Sequence, residues 1–286
     1  MSGPGTGITY RSGGNTIRAA LFGKERKDHC PAVVICHGAF EFKERYFELA
    51  AYLSERGITT LVPDMNGHGE SDGERYHVNI RRWISDIRGA LDFLIDETGI
   101  DPHGISAFGL STGGTAVLEA ALVEPRLRSL VVFAATVRNV MTPLDMLLYA
   151  ALLPFAAAKK AVTGRPVQLP LRDLVGKRKI AWDSEAHRSI IEDPRFQAAF
   201  VPVPGAYQAS VVNTIDRVHS ISVPTLVLHG ENDEVDPSDS SRRLFERLTC
   251  EKKMIILPET GHAGCIDRHR EAVFRYTADW IRGHSR

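Results

Sequence analysis

Gly109-Leu110-Ser111-Thr112-Gly113-Gly114 joins an alternating, partly apolar run, Gly104-Ile105-Ser106-Ala107-Phe108, to a run with helical spacing that begins at Thr115 and ends at Leu122. A strand, a sharp turn and a helix, with Ser at the turn and Gly two residues to either side, is the nucleophile-elbow pattern. Such a turn strains the Ser backbone and lifts its hydroxyl clear of the sheet. Side chains at the flanking positions would strike the neighbouring strand and helix, hence the glycines. The helix N-terminus then faces the point where negative charge would develop. An ordinary Gly/Ser turn has the same letters, so the surrounding chain must decide.

Upstream, residues 8–22 alternate around Ser12-Gly13-Gly14-Asn15 and predict a β-hairpin. Residues 32–36 and 59–63 are short apolar runs, as in strands buried on both faces. Downstream, 130–135, 225–230 and 253–258 repeat that pattern. Helical spacing covers 46–56, which Gly57 closes, then 80–97 with Trp83, Ile87, Leu91 and Leu94 on one side, then 238–248 and 270–282. Strands alternating with helices predict an α/β fold with a mostly parallel central sheet and helices on both faces. In such sheets, sites form at the carboxyl ends of strands. His37-Gly38, Asp64, Ser111, Asp233 and His262 all fall there.

The 286 residues suffice for one large domain, with 43% hydrophobic and 24% charged residues as in a globular protein. A formal net charge of zero leaves no electrostatic footprint for nucleic acid. Cys30, Cys36, Cys250 and Cys265 form no C-x-x-C pair, which argues against a zinc knuckle or a redox motif. Free thiols predict a cytoplasmic protein. The N-terminus, Met1 to Gly7, is small and flexible in composition and lacks a secretory pattern. Between Thr136 and Val223 no βα unit is visible, and seven prolines interrupt apolar helical stretches. A long insertion after a core strand is usually functional. The expected organisation is therefore core 1–136, helical cap 137–205 and core 206–286. The apolar run 146–158 in the cap reads as too short to span a bilayer, and it contains Pro154.

Serine needs a base, and the base needs an orienting carboxylate. Residues 229–237 (His-Gly-Glu-Asn-Asp-Glu-Val-Asp-Pro) leave one late strand and carry acids. Glu259-Thr260-Gly261-His262-Ala263-Gly264 leaves the next and carries a histidine between glycines. The order Ser, acid, His is that of the α/β-hydrolases. With the His37-Gly38-x-x-Glu41-x-x-x-Arg45-Tyr46 stretch, the loop from Asp64 to Gly73 and the run from Pro224 to Pro237, the chain resembles the monoacylglycerol lipase/lysophospholipase group. That group is also described as serine aminopeptidase S33-like.

The resemblance implies an α/β-hydrolase fold and a serine hydrolase with Ser111 as nucleophile, Asp233 as acid and His262 as base. It also implies an oxyanion hole from the backbone N–H groups of Ala39 and Thr112. Neither cofactor nor metal is called for. Where the group has His-Gly-x-Gly-Glu-His, this chain carries Phe40 and Phe42. Phe40 would narrow or reshape the acyl pocket, with Leu148 and Leu152 of the cap as further substrate contacts.

Other readings stay open at this stage. Asp236 is an alternative acid, or caps the helix that follows it. His37, His68 and His229 read as structural histidines, and Cys265 as a buried thiol or a site residue. Glu41, Arg45 and Asp64 read as a polar brace under the oxyanion loop, or as surface ion pairs. The apolar cap run is either core packing or a face for an acyl chain or a lipid surface. The leading expectation is an esterase for a medium or long acyl monoester, a small-molecule substrate. The alternatives are a thioesterase of a biosynthetic pathway and a non-catalytic binding module. Oligomeric state has no sequence signal.

Overall fold

In the computed structural model, which describes residues 5–23, 30–138 and 141–285, the apolar runs pair into one eight-stranded sheet. The first four residues of the glycine-rich N-terminus lie outside the described residues. β1 (Thr6–Ser12) and β2 (Asn15–Phe22) form the expected hairpin, and β2 pairs antiparallel with β4 (Thr59–Pro63). From β4 on, the neighbours β3 (Ala32–Cys36), β5 (Ile105–Leu110), β6 (Leu127–Phe133), β9 (Thr225–Gly230) and β10 (Lys252–Leu257) are all parallel. The order is β1-β2-β4-β3-β5-β6-β9-β10, so β5 and the turn that carries Ser111 lie near the middle.

Successive strand residues face opposite sides of the sheet. Ala32, Val34 and Cys36 therefore pack with α2 (Ile80–Thr98), α3 (Thr112–Ala121) and α9 (Asp239–Arg247). Val33 and Ile35 pack with α1 (Phe47–Glu55) and α10 (Arg270–Gly283) on the other face. The anticipated stripe of α2, with Trp83, Ile87, Leu91 and Leu94, is fully buried in the first of these layers. Its ends match their local chemistry. The Asn79 side chain accepts from Arg82 N–H at the start, and Gly99, at φ 72°, closes the helix.

Between β6 and β9 the chain forms α4 (Pro143–Thr163), β7 (Gln168–Pro170), α5 (Leu171–Val175), α6 (Ser184–Ile191), α7 (Pro194–Gln197), β8 (Phe200–Pro202) and α8 (Val203–Ser210). β7 and β8 form a separate two-stranded antiparallel sheet. At three residues each they are too short for alternation to register in the sequence. The boundary expected at 205 falls inside α8. The run 146–158 is part of a longer helix than expected. α4 has 21 residues with Pro154 in its interior, and by length and composition it is long and apolar enough to cross a membrane. Thr142 and Asp145 cap its start reciprocally, so the helix begins before the apolar run does.

Candidate active site

Ser111 occupies the turn between β5 and α3 with φ 52° and ψ −121°. Non-glycine residues rarely adopt a positive φ, and such strain gathers at functional sites. Three backbone hydrogen bonds over-determine the turn: Ser111 N–H donates to Phe133 O (2.9 Å), and Ser111 O accepts from the N–H groups of Thr115 (3.1 Å) and Thr136 (3.4 Å). The flanking glycines have the steric cause that the sequence suggested. A Cβ on Gly109 would strike the Gly113 carbonyl, and one on Gly113 would strike the Cys36 and His37 carbonyls. Thr112 is the first residue of α3, where backbone N–H groups have no helical partner.

The loop after β3 is set by its carbonyls. Gly38 O accepts from His37 Nδ1 (2.7 Å) and Glu41 N–H (3.3 Å). The peptide is planar and trans, so pinning that oxygen turns the N–H of Ala39 the opposite way. His37 Nε2 accepts from Met65 N–H (2.9 Å), which places the ring proton on Nδ1. Burial holds the His37 pKa below its ordinary value, against the pull of Asp64, and keeps the ring neutral. Phe40 is the third residue of the Gly38–Glu41 turn, at φ 66°, a position that favours glycine. Its ring lies 6.3 Å from His68 and 6.5 Å from Tyr76, and it also packs on the cluster around Leu171 and Ala206.

Asp233 and His262 meet as the topology predicts, with His262 Nδ1 2.7 Å from Asp233 Oδ2. Asp233 Oδ1 accepts from the N–H groups of Val235 (2.8 Å) and Asp236 (2.9 Å). Burial alone would raise the Asp233 pKa, but His262 and His229 overcome it and hold the carboxyl well below its usual range. Burial likewise pulls His262 down, and Asp233, aided by Asp236 and Glu41, pushes it above its ordinary value. Asp236 does not take the acid's place. Its Oδ1 accepts from Ser240 Oγ (2.6 Å), and its Oδ2 has no partner among the described residues.

His229 stands closer to the site than its structural reading suggested. Its Nε2 lies 2.8 Å from Asp236 O and 3.3 Å from Asp233 Oδ2. A carbonyl accepts, so Nε2 carries the proton, and Nδ1 accepts from Ser241 Oγ (2.7 Å).

The brace of Glu41, Arg45 and Asp64 separates into three contacts. Glu41 Oε2 accepts from Gly38 N–H (2.9 Å) and Tyr46 OH (2.6 Å), directly under the loop. Arg45 reaches across to Asp193 (3.7 Å), just before α7. Asp64 is fully buried and accepts from Lys43 N–H (2.8 Å) and Nζ (2.7 Å). Among the described residues, Glu44, Asp64 and Glu70 converge closely enough to hold a cation. The Lys43 ammonium lies 3.1, 2.7 and 2.6 Å from them and serves as that cation itself.

One cavity of about 240 Å³ brings together Ala39, Phe40, Ser111, Thr112 and His262. Its apolar wall comes from the segment between β6 and β9 and includes Leu171, Ile180, Ile190, Phe196 and Ala206. Leu148 and Leu152 are not part of it. Leu148 is 58% exposed on the outer face of α4, and the α4 residue that reaches the cavity is Tyr149. Helical phase puts Leu148 outside: Tyr149 and Ala156, seven residues apart, share the inner stripe, and Leu152 lies half-buried between them without lining the cavity. Cys265 lines a separate small cavity with Glu41, Tyr46 and Ile266.

The sequence profile of the serine aminopeptidase S33 family matches residues 27–269. A thiohydrolase of Aspergillus aculeatus is 25% identical over 276 residues, 88% of this chain and 86% of its own. A monoacylglycerol lipase of Mycolicibacterium smegmatis is 24% identical over 257 residues, 88% of each chain. Among solved structures, an α/β hydrolase from Penicillium superposes with a TM-score of 0.86 at 22% identity, over 98% of both chains. The chain belongs to the serine aminopeptidase S33 family of α/β-hydrolases.

Proposed function

We propose that the protein is a serine hydrolase that cleaves carboxylic esters through an acyl-enzyme. The observation that carries this reading is the 2.7 Å contact of His262 Nδ1 with Asp233, in one cavity with a strained Ser111. Asp233 fixes the proton on Nδ1, which leaves Nε2 as the basic nitrogen. His262 takes the Ser111 proton as Oγ attacks the acyl carbonyl. The N–H groups of Ala39 and Thr112 receive the oxyanion, and Asp233 steadies the imidazolium. The same proton then goes to the leaving oxygen, and water, deprotonated by His262, releases the acyl group.

The mostly apolar cavity wall supports a lipophilic acyl group. At about 240 Å³ the cavity falls below the common range for drug-sized ligands, which favours a compact acyl group over a long one. A chain-length series of p-nitrophenyl esters tests this, with Ser111→Ala as control. Loss of all turnover in Ser111→Ala is the expected result, and full retention overturns the mechanism.

A second reading, hydrolysis of acyl thioesters, is favoured by the similarity to a thiohydrolase. Matched thioester and oxygen ester substrates separate the two. The assembled Ser111, Asp233 and His262 argue against a non-catalytic module, and covalent labelling of Ser111 by a fluorophosphonate checks that. We further propose that 137–205 acts as a cap and that α4 rests on a lipid surface. Its outer face exposes Leu144, Leu147, Leu148 and Phe155 next to Lys159. Four unpaired cysteines support a reducing compartment, the cytoplasm.

A further inference from the structure

One buried carboxylate outside the proposed catalytic residues gathers four backbone amides. Asp267 is fully buried. Its Oδ2 accepts from Gly261 N–H (2.7 Å) and Trp182 N–H (2.7 Å). Its Oδ1 accepts from Asp183 N–H (2.8 Å) and Arg268 N–H (2.8 Å). Gly261 immediately precedes His262, whereas Trp182 and Asp183 belong to the cap. The two structures that this side chain joins are 85 residues apart in the chain.

Parallel contacts run along the same seam. Ala263 N–H donates to Ile180 O (2.8 Å), and Lys179 N–H to Glu234 Oε2 (3.0 Å), next to Asp233. Gly261 approaches the cap so closely that a Cβ there would lie 3.0 Å from Ala181 Cα. Cap residues 179–183 thus lie against both the acid loop and the base loop, and Ile180 shares the cavity wall with His262.

The residue type matters. Two carboxylate oxygens accept four hydrogen bonds, and bonds to a charged acceptor are roughly twice as strong as neutral ones. An asparagine offers one oxygen, and its NH₂ would face two N–H donors.

We infer that Asp267 is a positioning residue for the base, tying the His262 loop and cap residues 180–183 into one fixed wall of the cavity. This rests on the reading of His262 as the base. Removing the carboxylate frees the peptide at Gly261 and lets the imidazole drift from Asp233 and from Ser111.

The test uses the full chain and a soluble p-nitrophenyl ester, with active sites titrated by a fluorophosphonate. Asp267→Asn lowers kcat by about a hundredfold, the cost of roughly 1 Å of misplacement, while KM changes little. The acid limb of its kcat/KM profile moves to lower pH, because His262 loses contact with Asp233 while Asp236 and Glu41 still face it. Asp267→Glu recovers part of kcat.

A purely structural role predicts a lower melting temperature with kcat per titrated site and the acid limb unchanged, and that result overturns the inference. If Asp267→Asn does not fold, Asp183 supplies the second comparison. Its φ of −65° suits proline, so Asp183→Pro removes the N–H that Asp267 accepts, whereas Asp183→Ala keeps it. A lower kcat in the proline variant supports the tie, and equal kcat in the two overturns it. Activity that survives Ser111→Ala would instead overturn the underlying reading of the site.

Discussion

The floor of the cavity rests on strands β3, β5, β6 and β9, whose residues are buried at every position except Arg128. Its roof comes from the segment between β6 and β9, whose longest helix is nearly bare. Of the 21 residues of α4, Ala156 alone is fully buried. The floor is therefore fixed by ladder hydrogen bonds and close packing, which tolerate little displacement. The roof is held by the seam at Asp267, by the cluster around Phe40, Leu171 and Ala206, and by ion pairs such as Arg45–Asp193, Arg195–Glu44 and Lys160–Glu74. On the proposed reading, chemistry that needs sub-ångström placement sits on the floor, and the shape that selects substrate sits in the roof.

The largest effect is expected on the floor. Asp233→Asn keeps the size of the side chain but accepts the wrong tautomer of His262, and should lower kcat about ten-thousand-fold. It also changes the pH profile in a defined direction. On the proposed reading, His262 acts as base only when neutral. Burial lowers its pKa, Asp233 with Asp236 and Glu41 more than reverses that, and wild-type activity is expected to fail below a midpoint above 6.5. Without the Asp233 charge, only Asp236 and Glu41 oppose burial, and the midpoint moves to lower pH.

Linkage follows the same signs. The raised His262 pKa stabilises the fold below 6.5, and that contribution is lost as pH rises through the folded value. The depressed Asp233 pKa stabilises it above 3.8, and that contribution is lost as pH falls through the folded value. A midpoint unchanged in Asp233→Asn would mean that the floor does not tune its base through this contact.

An intermediate effect is expected where floor and roof touch. Phe40→Gly removes ring contacts to His68, Tyr76 and the cap, but relieves a backbone strain of roughly 1–2 kcal/mol. The two changes oppose each other, so stability should fall by about 1 kcal/mol, read as a drop in melting temperature of roughly 2–4 °C. The widened cavity should shift the preferred ester toward longer acyl groups. Each methylene newly buried is worth about 0.8 kcal/mol, or roughly fourfold in kcat/KM. An unchanged chain-length profile would show that Phe40 belongs to the floor alone.

The same division explains what was legible in the sequence. Buried strands announce themselves as apolar runs, and elbow glycines sit at fixed offsets, so 225–230 was read at the bounds the strand has. Asp233, Ser111 and His262 were legible because each follows such a strand. The cap was not. β7 and β8 are too short to alternate, and the phase of α4 could not be set while both of its faces are apolar. The sequence therefore points to Leu148, whereas Tyr149 is the residue that reaches the cavity. Asp267 was missed for another reason: its partners are backbone amides, which no residue letter reports.

The smallest effect is expected on the outer surface of the roof, and it tests whether that surface has a role at all. Leu147 and Leu148 are 68% and 58% exposed, so replacing both with serine removes almost no packing. Stability should stay within about 0.5 kcal/mol of wild type, and turnover of a soluble short-chain ester should not change. Contact with lipid would change that balance, because burying a leucine is worth roughly 1.5–3 kcal/mol. The double variant should then bind phosphatidylglycerol vesicles at least about tenfold more weakly in flotation, and lose activity in proportion on esters dispersed in them. Equal flotation of variant and wild type would remove the lipid surface from this face. The bare side of α4 would then need another cover, and the contrast between floor and roof would extend to what each one meets outside the chain.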